Sequence, residues 1–114
     1  MSLIIDKQKN LWIGTYSGGV SVLNTKTKRF KNYQSSSAPN SLSGNYVSAL
    51  LQDKRGNIWL GTNGTGLNKY NPDTDDFQVY TMTDTINGTR LVNNWINTMA
   101  EDNNGSFVGL TSLR

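Results

Sequence analysis

One phrase of this sequence occurs twice. Lys9 to Val20 reads KNLWIGTYSGGV, and Gly56 to Leu67 reads GNIWLGTNGTGL. Sliding the chain against itself by 47 residues superposes Asn10 on Asn57, Trp12 on Trp59, Gly14 on Gly61, Thr15 on Thr62 and Gly19 on Gly66. The match continues with Asn24 on Asn71, Thr27 on Thr74, Phe30 on Phe77 and Tyr33 on Tyr80. A third copy starts at an offset of 49, where NYVSALLQDKRGN is echoed by NWINTMAEDNNGS, with Asp53 on Asp102 and Gly56 on Gly105. A period of this size means that one supersecondary unit is used repeatedly, and any fold must accommodate it.

The unit reads as four short strands. Asn45 to Asp53 is rich in β-branched and apolar residues, Lys54-Arg55-Gly56 is a turn, and Asn57 to Thr62 is a second strand. The run Ile58-Trp59-Leu60 is apolar on both faces, which requires a sheet covered on both sides. Asn63 to Gly66 turns the chain into Leu67 to Tyr70, and Asn71-Pro72-Asp73-Thr74 turns it into Phe77 to Tyr80. Four-stranded antiparallel units of this length, sandwiched between neighbours, make a β-propeller. The expected fold is therefore all-β: a β-propeller fragment of about two and a half four-stranded antiparallel blades. The first blade is placed at 1–34 with a partial first strand, the second at 45–82 and a partial third at 93–114, all within one larger propeller domain. Trp12 and Trp59 are expected in the core between blades, and Gly14 and Gly61 where a side chain of the next blade crosses closely. The third copy, Gly105 to Thr111, lacks the tryptophan and shifts the Gly-Thr step, so that half-blade is expected to be either divergent or frayed where the chain is cut.

The second copy, DKRGNIWLGTNGTGLNKYNPDTDDFQVY preceded by NSLSGNYVSALLQ, resembles the two-component regulator propeller repeat through its whole length. The first copy resembles it over most of its length, and the third up to Asp102. This resemblance implies the periplasmic sensor of a hybrid two-component system in glycan-degrading bacteria, anchored in the inner membrane, with glycans or their breakdown products as signals. It also implies a membrane helix, histidine kinase, receiver and DNA-binding domain on the parent polypeptide. None of these is among the 114 residues, which open within a repeat, Leu3 to Asp6 matching Leu50 to Asp53, as a piece of a longer protein would.

Catalysis is not expected of this chain. Without histidine it lacks the commonest general base and metal ligand, and without cysteine it has neither a thiol nucleophile nor a disulfide framework. No cofactor, metal or catalytic residue is expected. Asp73, Asp75 and Asp76 lack the glycine and distal glutamate of a calcium loop, and Lys26, Lys28 and Arg29 hold their places in the first copy, so both segments read as solvated hairpin tips. A net charge of +3 without a basic stripe gives no footprint for nucleic acid.

Ligand binding remains. In a propeller the loops between second and third strands open on the same face as the connections between blades. That places Tyr16, Ser17, Asn63 and Thr65 on one face, with Tyr46 and Trp95 at equivalent starts of innermost strands. Aromatic faces with polar tips there suit an oligosaccharide, although paired aromatics at equivalent sites are more often packing. The competing classes are a fragment of a propeller lyase or hydrolase and a protein-interaction propeller. A closed propeller needs typically four to eight blades, so the other partners expected are further blades of the parent or copies of this chain in a head-to-tail ring, a trimer supplying six full blades.

Replacing Trp59 with alanine should unfold the chain or cost about 3–5 kcal/mol, the usual loss for truncating a buried indole. A thermal melt followed by circular dichroism checks this; an unchanged melt would remove Trp59 from the core.

Overall fold

A computed structural model of the chain describes residues 1–81, 85–86, 89–90, 96–101 and 107–111. All regular structure among them is strand. β1 (Ser2–Ile5), β2 (Asn10–Gly14), β3 (Val20–Asn24) and β4 (Arg29–Tyr33) form a four-stranded antiparallel sheet in sequence order. β5 (Val47–Gln52), β6 (Ile58–Thr62), β7 (Leu67–Asn71) and β8 (Asp76–Tyr80) form a second sheet of the same order. A short pair, β9 (Thr85–Ile86) and β10 (Thr89–Arg90), precedes a last pair, β11 (Ile96–Glu101) and β12 (Phe107–Thr111). β5 and β11 carry a pairing irregularity at the same step, Val47 to Ala49 and Ile96 to Thr98, so the repeat extends to its defects.

Each blade is begun by the same aspartate-centred turn. Asp6 Oδ1 accepts the N–H groups of Gln8 and Asn10, both at 2.9 Å, and Oδ2 accepts the indole N–H of Trp12 at 2.8 Å. Asp53 Oδ1 does the same for Arg55 and Asn57, at 3.0 and 2.8 Å, while Oδ2 takes the indole of Trp59 at 2.9 Å. One side chain thus closes the hairpin and satisfies the one polar atom of an indole that must be buried. The turn needs a left-handed residue, which is Gly56 (φ 91°) in the second copy and Lys9 (φ 67°) in the first. Trp12 and Trp59 are only 3% and 5% exposed.

The blades interlock where β2 and β6 have no side chain. A Cβ on Gly14 would lie 2.9 Å from Val47 Cγ1, and one on Gly61 would lie 2.5 Å from Ile96 Cγ2. Val47 and Ile96 are the first residues of the next innermost strands, and both are fully buried. Backbone ties repeat as well: the Lys7 N–H donates to Gln52 Oε1 at 2.9 Å and the Lys54 N–H to Glu101 Oε1 at 2.7 Å. Between the first two blades Trp12, Val20, Leu42, Val47, Ile58, Leu60 and Phe77 form one core. Trp59, Leu67 and Ile96 begin the next with Leu51, Tyr80 and Met99 around them.

The opposite face of the first sheet has no neighbour among the described residues. Phe30, the repeat counterpart of the 3%-exposed Phe77, is 65% exposed, and Leu3 and Ile5 are 56% and 65% exposed.

Some details differ from the sequence-based expectation. The second sheet starts at Val47 rather than Asn45, because the carbonyls of Asn45 and Tyr46 accept the N–H groups of Gly19 and Asn63, tying the connection to the loops instead. The acidic tip is more than a solvated hairpin. Asp75 is ion-paired with Lys31 of the first blade and accepts the hydroxyls of Tyr33 and Tyr70 at 2.5 and 2.6 Å. Burial, and then the neighbouring Tyr70, push the Tyr33 phenol well above its ordinary value.

The aspartate turn makes the fold acid-sensitive. Partial burial raises the Asp53 pKa, but the hydrogen bonds from Trp59, Asn57 and Arg55 outweigh it and hold the group below its ordinary value of 3.8. Its stabilising contribution is present above the unfolded-state value, near about 3.9, and is lost as pH falls through the lower folded value. The melting temperature should therefore fall between about pH 5 and pH 2, and Asp53→Asn should lower it at pH 7 while flattening part of that acid slope. Melts across the pH range decide this; an identical slope in the variant would remove Asp53 from the account.

Candidate functional site

Tyr16 and Ser17 lie in the β2–β3 loop and Asn63 and Thr65 in the equivalent β6–β7 loop, while Tyr46 immediately precedes β5. The structure brings the two tyrosines together. Their ring centroids are 4.8 Å apart at an interplanar angle of 35°, yet Tyr16 is 61% and Tyr46 38% exposed. They form an aromatic ledge at the loop end of the first blade junction. The loop backbone holds it: the Val47 N–H donates to Thr15 O at 2.8 Å, and the Gly19 N–H to Asn45 O at 2.9 Å.

Asn63 adjoins this ledge through its own N–H, which donates to Tyr46 O at 3.2 Å. Its side-chain Oδ1 is buried and has no hydrogen-bond partner among the described residues. Thr65 is differently employed. Its hydroxyl donates to Thr62 Oγ1 at 2.7 Å and accepts from Ser43 Oγ at 3.4 Å, so it fastens its loop to the interblade connection. Ser17 is exposed at the loop tip. Trp95, the counterpart of Tyr46 at the next junction, lies outside the described residues.

Sequence reasoning missed how that connection is held. Asn68 is fully buried; its Oδ1 accepts the Ser43 N–H at 3.0 Å and its Nδ2 donates to Ser43 Oγ at 2.8 Å. Ser21 occupies the same place in the first copy, so the period carried no signal for it. Asn45, likewise unnoticed, accepts the Ser35 N–H on its Oδ1 at 2.7 Å.

At the other end of the same junction lies a cavity of about 480 Å³. The β1–β2, β3–β4, β5–β6 and β7–β8 turns surround it, with Trp12, Val22 and Tyr33 of the first blade facing Ile58 and Tyr70 of the second. Among the described residues no group of three His, Cys, Asp or Glu side chains stands close enough to hold a metal ion.

Sheets with this internal repeat, stacked through their innermost strands and meeting at an interblade core, define a segment of a β-propeller. Residues 1–17 and 41–64 match the family model of the two component regulator propeller. Those stretches contain both aspartate turns, both tryptophans and both crossing glycines. Among solved structures, the chain is similar to the extracellular domain of BT3049 from B. thetaiotaomicron, described as a hybrid two component system, at 24% identity and a TM-score of 0.80. It is also similar to the extracellular domain of BT4673 from the same organism, described as a one component system, at 26% identity and a TM-score of 0.65. The matches cover 94% and 95% of this chain but only 15% and 13% of those proteins. No curated protein matches the sequence.

Proposed function

We propose that this chain is part of the extracytoplasmic sensor propeller of a hybrid two-component system, with a sensor histidine kinase of the inner membrane as its parent, and that its loop face contacts a glycan-derived ligand. The observation that carries the ligand is the exposed Tyr16–Tyr46 ledge. Two solvent-facing rings offer flat apolar area to the C–H face of a sugar. That the solved neighbours are extracellular domains of regulatory systems supports a role in recognition rather than turnover.

Binding of neutral oligosaccharides to the 114-residue chain tests the ligand. Tyr46→Ala should weaken binding at least about tenfold while leaving the melt almost unchanged, as expected for loss of a stacking ring at an exposed position. Equal affinity in the variant, or no binding by any oligosaccharide, would overturn the loop-face assignment.

The uncovered face of the first sheet supports a partner of a second kind. Leu3, Ile5 and Phe30 occupy places that, one blade later, belong to the buried interface. A further blade of the parent would cover them there. In the isolated chain another copy takes that role head to tail, and a three-membered ring supplies six full blades. Sedimentation at micromolar concentration should show an assembly larger than one chain, dissociating when Phe30 is replaced by aspartate. A folded monomer would overturn this arrangement.

A further inference from the structure

The cavity at the turn end of the first blade junction lies beside a rung at which the repeats differ. Trp12 is paired across the sheet with Val22, and Trp59 is paired with Lys69 at the same rung. Lys69 covers its tryptophan, the ammonium lying 5.6 Å from the ring centroid. Val22 is too short to do this, and the space beside Trp12 stays open at about 480 Å³, within the range of small-molecule sites.

The polar groups around the opening indicate what it takes. Asp6 at its base already accepts three hydrogen bonds and is only 6% exposed. Arg29 lines the rim and has no ion-pair partner among the described residues. Its repeat counterpart is Asp76, so this rim position is cationic in the first repeat and anionic in the second. The side chains of Gln8 and Asn10 also line the opening, with no hydrogen bond among the described residues. A guanidinium is suited to a carboxylate, which it can grip with two parallel N–H donors, while Trp12, Val22 and Tyr70 offer an apolar wall to a ring.

We infer that this cleft binds a small ring-bearing carboxylate, its carboxylate on Arg29 and its ring against Val22 and Tyr70, at the edge of Trp12. The site is at the opposite end of the blade from the Tyr16–Tyr46 ledge and does not depend on the function proposed for that face.

The test uses the 114-residue chain and the indole N–H resonance of Trp12, with benzoate and glucuronate as probes and benzamide as the uncharged control. Saturable movement of the Trp12 signal with at least one acid, and none with benzamide, is expected. The two acids distinguish an aromatic from a hydroxylated ring. Val22→Lys should abolish the response, and Arg29→Asp should weaken it at least about tenfold, the loss expected when a charge-assisted pair is removed. Arg29 is exposed, so its variant remains informative if Val22→Lys fails to fold. Absence of a response to both acids, an equal response to benzamide, or full affinity in folded Val22→Lys or in Arg29→Asp would each overturn the proposal.

Discussion

Burying an indole between two sheets is favourable only if its N–H is not left unpaired, and this chain meets that condition at both tryptophans among the described residues. The acceptor is the carboxylate of the aspartate six residues earlier, Asp6 for Trp12 and Asp53 for Trp59. That carboxylate also closes the preceding hairpin, so the turn, the innermost strand and the interblade core share one group. An unsatisfied buried donor costs on the order of 1–3 kcal/mol, more than most surface contacts can offset. With the indole fixed, its neighbours follow. Gly14 and Gly61 leave room for Val47 and Ile96, and Tyr33 and Tyr80 pack at the outer side of the tryptophans.

Much of this was legible because it repeats. Asn10 with Asn57, Trp12 with Trp59 and Gly14 with Gly61 mark the turn, the core and the crossing point, and each has the same physical role in both copies. What did not repeat could not be read. Asn68 secures the connection at Ser43 but has only Ser21 as its counterpart, and the meeting of Tyr16 with Tyr46 joins positions that are not equivalent within the unit. The acidic tip misled for the same reason. Asp75 looked solvated because lysine stands in its place one repeat earlier, yet its partners, Lys31, Tyr33 and Tyr70, are drawn from two blades.

The candidate sites sit where the repeats diverge. Asn63 replaces Tyr16 at one loop, Lys69 replaces Val22 beside the tryptophan, and Asp76 replaces Arg29 with opposite charge. A scaffold whose stability comes from the shared positions can vary the others at little cost, because exposed substitutions away from the core usually change stability by less than about 0.5 kcal/mol. The part of the sequence that specifies the fold and the part free to specify recognition are therefore largely separate.

The ties from Lys7 to Gln52 and from Lys54 to Glu101 run forward from each blade to the next, as do the contacts of Gly14 with Val47 and of Gly61 with Ile96. Each sheet is thus tied forward to its successor. In such a quasi-one-dimensional stack, stability is a sum over nearest-neighbour terms. Under load or denaturant the stack should peel from its unpartnered end inward. Every added junction lengthens the cooperative unit, and ring closure removes the end from which peeling begins.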